Sequence, residues 1–447
     1  MKITLPAHSE MCSPSFIYGV ATASFQIEGA ADSRLPCIWD TFCQQPGKIR
    51  DNSNGLVACD HFSRWQDDIG LIASLNVDAY RFSVSWPRVM HQDGTPNQQG
   101  LDFYIRLLDA LKANNIKAFV TLYHWDLPQY LEDQGGWLNR ETVYRFRDYV
   151  DLVTRAFGDR VYSYATLNEP FCSGYLGYET GFHAPGRQGR AFGRQAVHHL
   201  LLAHGLAMQV LRNNSPHSEN GIVLNFSPCY PASSNDEDIN AARLADDYHN
   251  HWYIKPLLEG RYPDLLHSLA DADKPVITDG DMEIIAQPVD WIGINYYTRA
   301  LYQAGSSYGF ETAPTVLEPL TAMGWEVYPQ GLTDILQQMH NRYPQLPAIY
   351  ITENGAAMPD NEPRQELVDD PRRVSYFQQH LLAVHNAMQA GVNIKGYFAW
   401  SLLDNFEWTE GYAKRFGIVY VDYQTQQRTL KSSAVALSRF FTERHNK

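Results

Sequence analysis

The chain has 447 residues, 44% hydrophobic and 19% charged, a mixture that supports a large buried core under a thin polar shell. Its 36 basic and 50 acidic side chains leave a formal charge of −14, which argues against a nucleic-acid backbone or an anionic membrane as partner. No apolar run reaches the roughly 18 residues of a membrane span, MKITLPAHSE lacks the apolar stretch of a secretory signal, and the six cysteines form no CxxC pair, so reduced thiols in a cytoplasmic protein are expected.

From the N-terminus onward, short β-rich runs alternate with longer helical patterns. Strands are predicted at residues 16–23, 78–84, 117–123, 162–167, 221–225, 291–295, 348–352 and 395–400. Several are nearly unbroken apolar runs, as strands buried on both faces are. After the second strand, Leu101, Tyr104, Ile105, Leu108 and Leu111 mark one helical face; after the third, Val143, Phe146, Val150, Val153 and Phe157 repeat it. Between the last two strands, Val374, Phe377, Leu381, Val384 and Met388 do so again, with Asp370 as expected N-cap, Pro371 in the first turn and Gly391 as the stop. Length alone would suggest two or three domains, but no linker divides the chain, and parallel barrels grow by lengthening loops. The prediction is therefore an α/β fold: a single (β/α)8 TIM barrel over residues 1–447, with elaborated βα loops at its C-terminal face. Long connections after strands four and six predict extra surface elements near 175–193 and 300–330.

Reacting groups of such barrels sit where strands end. Here those ends read Gln26, Arg81, His124-Trp125, Asn168-Glu169, Asn225, Asn295-Tyr296-Tyr297, Glu353-Asn354 and Trp400. One polar residue at a strand end is usually a turn residue; all eight ends behaving so points to a site. Two ends carry a carboxylate directly after a buried run, in TLNEP (166–170) and ITENG (351–355). Strands four and seven lie across the mouth from each other. Opposed carboxylates are what glycosidic bond cleavage requires. The 10 Trp, 27 Tyr and 20 Phe can fill a core or form flat walls for sugar faces.

Nearly the whole chain resembles glycoside hydrolase family 1, the β-glucosidase family. Besides TLNEP and ITENG, the likeness is carried by FIYGVATASFQIEGA, RFSVSWPR, HWDLP, INYYT and WSLLDNFEW. The resemblance implies a retaining glycosidase with Glu169 as acid/base and Glu353 as nucleophile. It also implies sugar-hydroxyl contacts from Gln26, His124, Asn168, Glu407 and Trp408. Trp125 and Trp400 would shape the pocket, with Trp400 as its floor. Tyr297 and Arg81 would support the nucleophile, Asn295 would line the site, and Trp325 would flank the leaving group. A small-molecule β-glycoside is the implied partner, with no cofactor and no metal; monomer and homo-oligomer both stay open. His198-His199 and His249 with His251 fall in helical patterns and are read as ordinary helix or core histidines rather than ligands. His183, near the presumed entrance, is read as a surface histidine.

Three alternatives stand beside this reading. A 6-phospho-β-glycosidase of the same family typically replaces the acid at 407 by a small hydroxyl residue; this chain keeps Glu407 and has Phe416 where a phosphate-holding Tyr would be sought, although Lys414 is present. A thioglucosidase commonly has Gln at the acid position, here Glu169. An inactive sugar-binding protein would need neither carboxylate.

Overall fold

A computed structural model describes residues 2–360 and 366–444; residues 1, 361–365 and 445–447 of the expected domain lie outside the described residues. Eight strands close a barrel: β1 (Ile17–Ala21), β2 (Ala79–Ser83), β3 (Lys117–Thr121), β4 (Ser163–Asn168), β5 (Glu219–Asn225), β6 (Trp291–Asn295), β7 (Ala348–Asn354) and β8 (Ile394–Trp400). Each pairs in parallel with its neighbours in chain order, and β1 closes the ring on β8 through Ile17 opposite Gly396. This is the (β/α)8 barrel expected from the alternation of apolar runs and helical stripes.

Most strand ends lie within one or two residues of their expected bounds, and at two of them the difference matters. Strand β4 runs on through Asn168 rather than stopping at Leu167, and β7 through Glu353 and Asn354 rather than stopping at Thr352. The ladder slips there: β4 shifts register on β5 between Ala165 and Asn168, and β7 shifts on β6 between Ile351 and Glu353. Such irregularities re-aim side chains at a barrel rim.

The lumen is packed, not hollow. Phe119 of β3, Tyr350 of β7 and Phe398 of β8 meet at 4.9–5.4 Å between rings, with Trp291 against Tyr350 at 5.4 Å. Gly19 makes room for this plug: a Cβ on it would stand 2.4 Å from Cε1 of Phe398. The plug separates the C-terminal mouth of the barrel from its opposite end.

Outside the barrel, the helices Gln98–Ala113, Glu141–Phe157 and Pro371–Gln389 bury the predicted stripes, with Ile105 and Met388 only half-buried at their margins. Gly391 ends the last of them at φ +94°. Asp370 stands at the N-cap but does not cap with its side chain; its carboxylate instead accepts from Arg373 and Ser433. A buried cation nearby outcompetes backbone N–H groups for that charge.

Both long connections carry added structure. The first holds a π-helical segment, Cys172–Glu179, before the 25-residue helix Arg190–Asn214. The second holds the strands Ala300–Gln303 and Glu311–Thr312, which join Cys229–Pro231 in a small sheet. The Cys229–Pro231 strand and a second π-helical turn, Asp247–His251, follow β5, where no elaboration was expected. All six cysteines are unpaired; Cys37, Cys59 and Cys172 are buried. His198 bonds Tyr262 and Asp281, His199 the Trp137 carbonyl, and His251 Asp246 and Tyr343, as core histidines do. No helix among the described residues is long and apolar enough to cross a membrane.

Candidate active site

The C-terminal mouth of the barrel holds a cavity of about 450 Å³. Its wall includes Glu169, Glu353 and Glu407, the rings of Trp125, Tyr297, Trp325, Trp400 and Trp408, and the side chains of His124 and Asn295. Gln26, Arg81 and Asn168 adjoin that wall and bond residues that form it. A wider hollow of about 650 Å³ at the opposite end of the barrel, among Tyr162, Glu219 and Tyr350, contains none of these groups.

Backbone geometry aims several of the side chains. Trp125, Glu169 and Trp408 all adopt the left-handed region, at φ +75°, +49° and +49°. That conformation costs a non-glycine residue roughly 1–3 kcal/mol, so it persists only where surrounding contacts enforce it. At Glu169 the enforcing contact is its own N–H, which donates to the Val223 carbonyl of β5 at 2.9 Å. At Trp125 the indole N–H donates to the Asn168 carbonyl at 2.9 Å.

The two facing glutamates have different partners. Glu353 accepts from Arg81 Nη1 at 2.7 Å and from the Tyr297 hydroxyl at 2.5 Å. Both partners balance a negative charge, and the Arg81–Glu353 pair is buried. Among the described residues Glu169 has no cation in contact. It accepts from Asn295 Nδ2 at 2.6 Å and from the Cys172 thiol at 3.1 Å. Burial is the largest influence on it and the charge of Glu353 the next; together they hold its carboxyl well above the ordinary range, against the hydrogen bonds and Arg81. Asn168 links the two halves, its Oδ1 accepting from Arg81 Nη2 at 2.6 Å and from Asn295 Nδ2 at 3.1 Å. One glutamate is thus biased toward the protonated form beside another that is ion-paired.

Opposite this pair lies a polar and aromatic face. Gln26 donates to Asn405, the Phe406 carbonyl and Glu407 at 2.9–3.3 Å. Its Oε1 is buried with no partner among the described residues, and so is Nδ1 of His124. Buried polar atoms in native proteins are almost always satisfied, which makes these two atoms natural contacts for a ligand's hydroxyls. His124 lies nearly parallel to both Trp400 and Trp408, at 6.1 and 5.9 Å. Burial, then Arg81, drives the His124 pKa well down, so the ring is neutral and can both donate and accept. Burial, followed by the charges of Glu353 and Glu169, likewise raises Glu407.

Sequence reasoning missed some of the assembly. His183 is not a surface residue: it is 8% exposed, with its ring 5.3 Å from both Trp39 and Trp125. Trp39, lying far from any strand end in the sequence, backs Trp408 at 4.6 Å. Cys172, expected only as a reduced thiol, donates to Glu169. Its spacing of three residues from Glu169 was the available signal, but only after the turn following TLNEP is known to be helical.

A closed parallel barrel with two glutamates on one cavity at its C-terminal mouth has the architecture of a glycoside-cleaving enzyme. The chain belongs to glycosyl hydrolase family 1, whose sequence profile matches residues 8–446. It is 44% identical over 427 residues to a β-glucosidase of Agrobacterium sp., covering 94% of this chain and 92% of that protein. It is 45% identical over 425 residues to a 1,4-β-D-glucan glucohydrolase of Thermotoga neapolitana, covering 94% and 95%. Its structure is similar to that of the β-glucosidase from Thermotoga maritima in complex with glucoimidazole, with TM-score 0.93, 43% identity and coverage of 97% and 99%.

Proposed function

We propose that the chain is a retaining β-glucosidase. It releases terminal, non-reducing β-D-glucosyl residues from aryl β-glucosides, cellobiose and short cello-oligosaccharides, and accepts β-galactosides and β-fucosides as side substrates. Glu353 is the nucleophile and Glu169 the acid/base. The observation that carries this reading is the contrast between the two: Glu353 is bonded to Arg81 and Tyr297, while Glu169, with no cation in contact, is pushed toward its neutral form.

In the first step an oxygen of Glu353 attacks the anomeric carbon while Glu169 gives its proton to the departing glycosidic oxygen. The negative charge of Glu353 is consumed in the new ester, which removes one of the causes holding the Glu169 proton. In the second step Glu169, now a carboxylate, takes a proton from water as the oxygen of that water adds to the anomeric carbon and frees Glu353. The reaction needs two carboxyl groups and water. Gln26 Oε1, His124 Nδ1 and Glu407 receive the sugar hydroxyls, Trp400 lies under the ring, and Trp325 flanks the leaving group.

Glu407 on the pocket wall, ionised or protonated, gives a phosphorylated sugar no cation to pair with at that position. Lys414, which a phosphate would need, is turned instead to the Ala322 carbonyl and lies 3.9 Å from Glu410. A protonatable Glu169 favours O-glycosides over thioglycosides. We read residues 1–447 as one catalytic unit, and six unpaired cysteines suit a reducing, cytoplasmic setting.

The test is turnover of 4-nitrophenyl β-D-glucoside by the pure protein and its variants. Glu353→Ala is expected to abolish it. Glu169→Ala is expected to lose about 10²–10⁴-fold on glycosides with poor leaving groups, far less on activated ones, and to be partly rescued by azide. Full activity of Glu353→Ala, or equal losses across leaving groups for Glu169→Ala, would overturn the assignment.

A further inference from the structure

The ladders joining the first three strands stop short of the site residues that follow them. β1 and β2 pair last at Ala21 opposite Arg81, and β2 and β3 at Ser83 opposite Thr121. Gln26 and His124 lie beyond those pairs, so their positions depend on bonds made after the strands end.

A chain of buried side chains spans that gap. The Ser24 N–H donates to Ser83 Oγ at 2.7 Å, the Ser83 hydroxyl donates to Ser24 Oγ at 3.1 Å, and the Ser24 hydroxyl donates to Asp126 Oδ2 at 3.0 Å. None of the three residues is more than 2% exposed, and none is part of the catalytic cavity wall. Each stands two positions from a group of the site. Ser24 opens the short helix Ser24–Ile27 that carries Gln26, Ser83 follows Arg81 on the same face of β2, and Asp126 follows His124.

Asp126 is a costly group to bury for packing alone. Its one side-chain hydrogen bond among the described residues comes from Ser24, and its Oδ1 is buried without a partner. Burial is the largest influence on it and, with the charge of Glu28, lifts its pKa to about 7 against the Ser24 bond and the charge of Arg34. Unsatisfied buried oxygens are rare, so one that persists has a reason beyond filling space. The backbone supplies that reason. Trp125, between His124 and Asp126, is held in the left-handed region at φ +75°. Such a conformation needs anchors around it. The Asn168 carbonyl takes the Trp125 indole N–H, and Ser24 secures the next residue through Asp126.

We infer that Ser24, Ser83 and Asp126 are positioning residues, whose hydrogen-bonded chain sets Gln26 and His124 where the hydroxyls of the glucosyl ring meet them. The inference rests on the β-glucosidase reading and deepens it. The three groups touch no reacting atom and act only through the residues they hold. What the role requires of Asp126 is an oxygen that accepts from Ser24, which either protonation state provides.

The experiment measures kcat and KM for 4-nitrophenyl β-D-glucoside, with urea midpoints alongside, for the full chain and the variants Ser24→Ala, Ser83→Ala, Asp126→Leu and Asp126→Asn. The first three are each expected to lose about tenfold in kcat/KM, the order of one hydrogen bond's net worth. Asp126→Asn keeps an accepting oxygen and is expected to stay within about threefold of the wild type. Ser24→Ala is then combined with Gln26→Ala and, separately, with His124→Ala. In either background it is expected to cost about threefold or less, because part of what it positions is already gone. If Asp126→Leu does not fold, the serine variants, which lose only a hydroxyl, carry the test. A lowered urea midpoint with kcat/KM within about twofold of the wild type in any of the first three variants means a structural role alone and overturns the inference. So does a full tenfold cost of Ser24→Ala in both double variants, or an Asp126→Asn loss equal to that of Asp126→Leu. Absence of aryl glucoside turnover in the wild type would instead remove the underlying reading.

Discussion

At the scale of single residues, the chemistry depends on how differently two identical side chains are treated. Glu353 is paired with Arg81 at 2.7 Å, whereas Glu169 has an amide and a thiol as donors. The Cys172 thiol favours the charged form of Glu169, opposing burial and the charge of Glu353. Removing it therefore raises the Glu169 pKa further. In the proposed mechanism cleavage requires Glu169 protonated, so activity is expected to fall as pH rises through that pKa. Cys172→Ala is accordingly expected to move the alkaline limb of the kcat/KM profile to higher pH, and a shift to lower pH would contradict the role given to the thiol. Many residues of this site were legible in the sequence as polar or aromatic groups within or just after an apolar strand, whereas Trp325, Glu407 and Trp408 were named only through the family resemblance. Those missed reach the site from elsewhere: Trp39 through its packing on Trp408, Cys172 through a helical turn, and His183 through burial among indole rings. Apart from the spacing of Cys172 from Glu169, nothing local in the sequence encodes those approaches.

At the scale of elements, the eight strands were legible because parallel barrel strands are apolar on both faces. Their ends were not, because the register shifts that extend β4 and β7 through Asn168 and Glu353 arise from pairing with β5, β6 and β8. The same holds for the three-stranded sheet, whose strands pair across distant parts of the chain. Asp370 illustrates the converse: its position before the helix was read correctly, but Arg373 and Ser433 claim its carboxylate. The barrel plug makes a quantitative demand of β1. A Cβ at Gly19 would meet Phe398 at 2.4 Å and the Ala79 carbonyl at 2.7 Å, so either the ring or the strand must move. Gly19→Ala is expected to destabilise the fold by about 1–3 kcal/mol, read from the midpoint of urea unfolding. An unchanged midpoint would mean that the lumen is less tightly filled than described.

At the scale of the whole molecule, the barrel is fastened where the end of the chain returns to it. Lys431, just before the helix Ser432–Glu443, is buried, with Nζ 2.5 Å from Asp360 and 2.7 Å from Asp404; Arg415 meets Asp404 and Arg373 meets Asp360. Breaking one member of such a buried network leaves uncompensated charge. Lys431→Met is expected to lower stability by about 3–5 kcal/mol, measurable by the same unfolding assay, while a loss below about 1 kcal/mol would show the network to be dispensable. Arg444 adds a further tie, bonding Asp78 at 2.6–2.7 Å just before β2 and lying over the Tyr18 ring of β1. This fastening matters to function because Glu169 and Glu353 come from strands on opposite sides of one ring, so only a rigid closed barrel keeps them trained on a single carbon. The stereochemistry of the released sugar reads that relationship directly. Proton NMR of the first glucose set free from a β-glucoside, recorded before mutarotation, is expected to show the β-anomer alone; the α-anomer appearing first would contradict double displacement through Glu353.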